Sequence, residues 1–278
     1  MKFGSLFAGI GGIDLGLERA GMECLWQVEW DDYCQRVLAK HWPNVARYGD
    51  IHGVGKHNLE AVDLIAGGFP CQPVSFAGRQ KGIEDDRWLW PEFYRVVLEL
   101  RPRYVLVENV PGLYHQGFGE VITDLAKSGY DAEWNRIFAA SVGAPHLRER
   151  VFIIAYRQCV GWPEGSSQRI QSIFQVPERQ EPQYIRPSIS TGRTMAHTDQ
   201  QGPQGYGAEH ELRESQEEFE TSWSGWWRVE PNVGRVAYGV PNRVDRLRAL
   251  GNAVVPQVAE WIGQQIMDSE SRRHAAHD

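Results

Sequence analysis

Long apolar runs are missing from this chain. No stretch is long enough to span a bilayer, and the first residues lack a secretion-signal pattern. Cysteine is scarce, and Cys24, Cys34, Cys71 and Cys159 show no paired spacing. That argues against a disulfide framework or a zinc site, and no metal site is expected. Free thiols fit a reducing cytoplasm. Lysine is nearly absent: Lys2, Lys40, Lys56, Lys81 and Lys127 are all there is, so positive charge is carried almost wholly by arginine. Arginine's planar fork suits phosphates and guanine edges. Cations are nevertheless in deficit, with a net charge of −7, which is awkward for a nucleic-acid binder because phosphate contacts need local positive charge. Part of that acidity is confined to Glu209 to Glu220, which hold six glutamates and one arginine. Regular patterning is also missing from residues 158 to 227. They are rich in Gln, Ser, Gly, Pro and Glu, and such composition suggests loops or disorder.

What is present starts with length. At 278 residues the chain suits one domain with a large insertion, or one domain plus a small one. The central stretch is Gly67-Gly68-Phe69-Pro70-Cys71-Gln72-Pro73-Val74-Ser75-Phe76-Ala77-Gly78. It follows an apolar run, Val62 to Ala66, that predicts a buried strand. Two glycines end the strand and two prolines bracket a cysteine, so its direction is fixed before any substrate arrives. Cys71 in such a turn has little core to fill, whereas Cys24, Cys34 and Cys159 read as small apolar side chains. Arg79 and Lys81 follow closely, and nearby cations favour a thiolate.

The N-terminal segment has another pattern. Lys2 to Phe7 predicts a strand, Ala8-Gly9-Ile10-Gly11-Gly12 a glycine turn, and Ile13 to Ala20 a helix. Strand, glycine turn and helix admit a nucleotide-type cofactor close to the backbone. A second strand, Met22 to Val28, ends in Glu29-Trp30. An acid there, about 20 residues past the glycines, is where ribose hydroxyls are bound in such folds. Trp30 could lie flat on an adenine ring. Asp31 caps a helix from Asp32 to His41. Asp50 could accept from an adenine amino group, with Ile51 packing on the ring. As isolated residues, Glu29 and Asp50 would be solvated loop carboxylates; their spacing after the turn favours the cofactor.

Further along, Pro91 to Leu100 predicts a helix and Arg103 to Val107 a buried strand ending in Glu108-Asn109-Val110. A carboxyl at the C-terminal end of a parallel strand points into the crevice that Cys71 faces. Gly119 to Ser128 reads as a helix and Tyr130 to Ala139 as a strand. Arg148 and Arg150 then enter a strand on one face. Two adjacent guanidiniums are costly unless they meet anions. Arg228 to Arg248 carries five arginines, and within it Arg235 to Arg243 forms a strip suited to a phosphate backbone. Ala249 to Pro256 leads into a helix from Pro256 to Met267, and Ser269 to Asp278 looks like a frayed tail.

Taken together, these motifs resemble those of the DNA cytosine-5 methyltransferases of bacterial or phage restriction-modification type. The resemblance covers Lys2 to Tyr156 and Leu247 to Gln265. It implies a doubly wound, Rossmann-like α/β domain that binds S-adenosyl-L-methionine, with a small, irregular target-recognition region. The implied organisation is a catalytic domain at 1–157, recognition at 158–245, a returning segment at 246–268 and a tail at 269–278. In the cofactor site it implies Phe7, Ala8, Gly9, Gly11, Gly12, Glu29, Trp30, Asp50, Ile51, Asn252 and Val254. In the catalytic set it implies Pro70, the nucleophile Cys71, Glu108, Asn109, Arg148 and Arg150. One arginine of that pair is expected to contact the cytosine ring oxygen and the other to support the catalytic loop. Gln72, Ser75, Arg79, Lys81, Arg235 and Arg243 are expected at the DNA. The implied substrate is double-stranded DNA, with a cognate restriction endonuclease as a possible companion. A monomer in the cytoplasm of a bacterium or phage-infected host is expected. Transfer RNA as substrate, or a catalytically silent DNA-binding homologue, are the alternatives.

Overall fold

Segments built on unbroken apolar runs become the centre of a sheet. In β4 (Leu64–Gly67) and β5 (Tyr104–Asn109) every residue is buried, as expected for parallel strands covered on both faces. The computed structural model describes residues 1–70, 87–157 and 243–275. In these residues the other strands are β1 (Lys2–Leu6), β2 (Glu23–Val28), β3 (Ala46–Tyr48), β6 (Tyr130–Phe138) and β7 (Glu149–Arg157). They form one seven-stranded sheet in the order β3-β2-β1-β4-β5-β7-β6. Pairings from β3 to β5 are parallel, and β7 runs antiparallel between β5 and β6.

Helices cover both faces. Alternation along β5 sends Val105 and Val107 one way and Tyr104 and Leu106 the other. The first pair packs with Phe93, Val96 and Val97 of α3 (Trp90–Leu100) and with Val121 and Leu125 of α4 (Phe118–Lys127). The second pair shares a core with Ile13 and Leu17 of α1 (Gly12–Arg19). Helix α2 (Asp32–His41) is capped by Asp31, whose side chain accepts from the Cys34 N–H at 3.0 Å. After the undescribed stretch come α5 (Arg243–Asn252) and α6 (Pro256–Ala275). No helix among the described residues is long and apolar enough to cross a membrane.

The last helix packs on the first through small residues. A Cβ on Gly16 would run into the Pro256 carbonyl and Ala259, and one on Gly263 into Ala20. Val258, Ala259, Ile262 and Ile266 complete the core against Ile13 and Leu17. Composition suggested fraying from Ser269; instead α6 continues to Ala275. The reason is Glu270, 7% exposed, which pairs with Arg103 and accepts from the Tyr104 hydroxyl at 2.6 Å. Glu270→Ala removes an acceptor shared by two partners and should cost about 1–3 kcal/mol in urea denaturation. Unchanged stability would return the segment to a frayed tail.

The chain divides into two compact units. One is Met1–Gln175 with Pro231–Asp278 and holds every element above; the other is Val176–Glu230, which lies outside the described residues.

Candidate active site

Strand order reverses between β1 and β4. Crossovers go to β2 and β3 on one side and to β5 on the other, so the carboxyl ends of β1 and β4 open a crevice. Both strands end in backbone that excludes side chains. After β1, Phe7 sits at φ 54°, in the left-handed region unusual for a non-glycine residue. Its ring stacks near Phe93, 6.5 Å between centroids. Gly9 follows at φ 57° with open space where a Cβ would stand, so a ligand can approach the main chain there. After β4, a Cβ on Gly67 would meet the Leu6 carbonyl, and one on Gly68 the Glu108 carboxylate. The paired glycines are what let β1, β4 and β5 converge.

A cavity of ≈590 Å³ fills this crevice, within the usual range for small-molecule sites. At one end Glu29 supports the glycine turn: Oε2 accepts from the Gly9 N–H at 2.7 Å and Oε1 from the Asp31 N–H at 2.8 Å. Burial pushes its carboxyl up, against those hydrogen bonds. Each oxygen retains a lone pair for hydroxyl donors. Trp30 beside it is 75% exposed and borders the cavity. Asp50 uses Oδ1 on the His52 N–H at 2.9 Å and on its ring at 2.7 Å, and Ile51 is buried behind it. These groups fit an adenosine: aromatic surface, carboxylates for hydroxyls, and bare backbone. Val254, Asn252 and Ala253 close this end from the C-terminal segment. Gly12 allows it, because a Cβ there would strike the Val254 carbonyl.

At the other end stands Glu108, 8% exposed. Arg150 Nε lies 3.0 Å from Glu108 Oε1, and its Nη1 donates to the Glu149 carbonyl at 2.8 Å. Burial raises the Glu108 carboxyl to about 6, and Arg150 then Arg148 oppose the rise. An acid poised there can hold or release a proton near neutrality. Asn109 Nδ2 donates to the Phe69 carbonyl at 3.3 Å, while its Oδ1 accepts from Val110 N–H at 2.8 Å. Phe69 is wedged edge-on against Trp88, 5.0 Å away, and against Trp90, 5.7 Å away. The backbone leading to Pro70, on the cavity wall, is therefore fixed from three sides.

Phe7, Ala8, Gly9, Gly12, Glu29, Trp30, Asp50, Ile51, Pro70, Glu108, Asn109, Arg150, Asn252 and Val254 thus line one cavity. Gly11 does not: it precedes α1 at φ 82°, and its missing Cβ makes room for Trp42. Arg148 also lies off the wall, donating to the Ala253 carbonyl at 2.5 Å. Cys71, Gln72, Ser75, Arg79, Lys81 and Arg235 lie outside the described residues; Arg243 begins α5. Arg248, in the segment expected to return to the catalytic domain, pairs with Asp31 at 2.5 Å and borders the cavity.

Sequence reasoning missed Asp14. It is fully buried behind the glycine turn, accepting from Ser5 Oγ at 3.0 Å and Gln27 Nε2 at 2.8 Å. Ser5 and Gln27 are paired across β1 and β2. A polar residue one turn into an apolar helix was the available signal. Burial lifts Asp14 from 3.8 to about 6, despite the Gln27 and Ser5 hydrogen bonds. A folded-state value above the unfolded one means the folded state gives up its proton reluctantly. Stability from this group is full below about pH 4, falls as pH rises through about 6, and is about 3 kcal/mol lower at neutrality. Asp14→Asn should therefore gain on the parent chain between pH 4.5 and 7.5 in paired denaturation curves. A pH-independent difference would refute the assignment.

A family model described as C-5 cytosine-specific DNA methylase matches residues 1–233. The chain is similar to type II methyltransferase M.NgoMIV of Neisseria gonorrhoeae, 36% identical over 185 residues, covering 62% of this chain and 59% of that one. It is similar to M.HhaI of Haemophilus parahaemolyticus, 36% identical over 162 residues, covering 56% of this chain and 49% of that one. The chain thus aligns with 59% and 49% of the lengths of these two curated relatives. Among solved structures, the S. pombe Dnmt2 methyltransferase aligns at a TM-score of 0.50 and 20% identity, covering 66% of this chain and 57% of that one; the likeness is one of fold.

Proposed function

We propose, from the premise that this chain belongs to the S-adenosylmethionine-dependent C-5 cytosine-specific DNA methylase family, that it methylates carbon 5 of a cytosine in a short sequence of duplex DNA. The observation that carries this is one cavity with two unlike ends: a glycine–carboxylate–aromatic cradle and a Glu108–Arg150 pair whose carboxylate is buried, with Pro70 on the same wall and Cys71 next in the chain. S-adenosylmethionine, when bound, supplies an electrophilic methyl group on a sulfonium. Glu29 would hold the ribose hydroxyls, Trp30 and Ile51 the adenine, and the Gly9 backbone the methionine end.

Cytosine cannot be reached inside a duplex, so the base is taken out of the stack. Carbon 5 is poorly nucleophilic, and covalent addition at carbon 6 corrects that. The Cys71 thiolate forms the S–C6 bond, and the displaced ring electrons gather at carbon 5 and nitrogen 3. Glu108 donates a hydrogen bond or proton to nitrogen 3, which stabilises that charge. Arg150 holds Glu108 and faces the ring oxygen. After methylation, loss of the carbon 5 proton to a base expels the Cys71 thiolate, any proton held on nitrogen 3 returns to Glu108, and the aromatic ring is restored. A restriction endonuclease cutting the same sequence is the companion this family implies, and a monomer suffices because both ends of the cavity come from one chain.

The test is transfer of labelled methyl from S-adenosylmethionine to unmethylated duplex DNA, followed by bisulfite sequencing. Methylcytosine confined to one short sequence supports the proposal. Transfer to bulk RNA alone would replace the substrate; cofactor binding with no transfer to either would leave a silent DNA-binding homologue.

A further inference from the structure

Arg148 and Arg150 flank Glu149 and point to different ends of the molecule's chemistry. Arg150 engages Glu108. Arg148 reaches across 105 positions of sequence and donates from Nη2 to the Ala253 carbonyl at 2.5 Å. Ala253 ends α5, its own N–H donating to the Ala249 carbonyl at 3.0 Å. The next residue, Val254, is 9% exposed and forms the cavity wall that rests on Gly12. A guanidinium from the Glu108 end thus grips the peptide that precedes the cofactor wall. Hydrogen bonds from charged donors are stronger than neutral ones. A second tether of this segment, Arg248 to Asp31, has its arginine side chain 59% exposed, and exposed pairs contribute little.

We infer that Arg148 is a positioning residue that couples the two ends of the cavity: it fixes Ala253 and Val254, and so links affinity for S-adenosylmethionine to occupancy of the cytosine end. The inference rests on the proposed function and deepens it. One arginine of the pair was expected to brace the catalytic loop; the described contact of Arg148 is with the C-terminal segment.

The test is calorimetric binding of S-adenosylhomocysteine to the whole chain, alone and with a duplex carrying the mapped target sequence. Arg148→Met keeps the stem packed and removes the donor. It should weaken binding about 10- to 100-fold, the loss of one hydrogen bond from a charged group. The duplex should tighten cofactor binding to the parent chain and no longer do so in the variant. Arg148→Lys, one donor in place of a fork, should lie between. Arg136→Ala, which breaks an ion pair with Glu149 (3.0 Å) in the same ladder, should match the parent. Thermal unfolding of the apo proteins separates binding from stability. Parent-like affinity in Arg148→Met overturns the inference, as does weakened binding with the duplex effect intact. Should Arg148→Met not fold, parent-like affinity in Arg148→Lys overturns it alone. A parent chain that does not bind S-adenosylhomocysteine refutes the proposed function instead.

Discussion

Replacing Cys71 with alanine should reduce methyl transfer by about four to six orders of magnitude, as loss of a covalent nucleophile does elsewhere, while S-adenosylhomocysteine still binds. The split follows from where the contacts come from. The cofactor end is built by residues after β1 and β2 and by Val254, whereas Cys71 belongs to the segment after β4. The support that the proposed role of its thiol would draw on lies upstream. Gly67 and Gly68 press the chain against Leu6 and Glu108, and Asn109, Trp88 and Trp90 hold Phe69. The chain thus enters the segment that holds Cys71 from a fixed point, and in the proposed covalent mechanism a nucleophile held that way would face a lower barrier. Cys71→Ser should be nearly as inactive, since a hydroxyl is scarcely ionised near neutrality. Parent-like turnover in Cys71→Ala would end the covalent mechanism.

Replacing Glu108 should lower the rate by about 10²- to 10⁴-fold for alanine, the usual contribution of a positioned acid. Glutamine is the sharper test. Burial holds the Glu108 carboxyl near 6, so at pH 7 about one molecule in ten carries the proton. That proton is lost as pH rises through about 6, and with it the ability to donate to ring nitrogen 3. A glutamine amide donates at every pH but cannot transfer a proton. Relative to the parent, Glu108→Gln should therefore be weakest near pH 5.5 and recover towards pH 8 in single-turnover rates. A ratio flat across that range would remove Glu108 as the proton holder.

Much of this site was legible because it is written in neighbours. Glycines before a helix, an acid after the second strand, and Pro70 beside Cys71 are local patterns, and local patterns survive in a single sequence. The strands were legible for the same reason: Val105 to Val107 are apolar whichever face they turn to. What escaped depends on distance. Nothing near Glu270 says that Arg103 and Tyr104 await it, so the segment read as a tail. Nothing near Arg248 says that Asp31 lies opposite, so the pair went unread. Gly11 looked like its neighbours in the turn, but its reason is Trp42. Asp14 looked like the polar face of a short helix, and only the Ser5–Gln27 register shows that it faces inward.

The seam between α1 and α6 has a consequence for how the chain comes off a ribosome. Ile13 and Leu17 are made long before the partners that cover them, Val258, Ile262 and Ile266. Contacts between such distant segments form late. Until Ile266 has been synthesised, a nascent chain shows an apolar stripe on its first helix, the kind of surface chaperones exist to shield. Over the same interval the cavity lacks its Val254 wall. If the proposed function holds, methyl transfer should then require Val254 and the helix that follows it, and a fragment stalled before them should be inert.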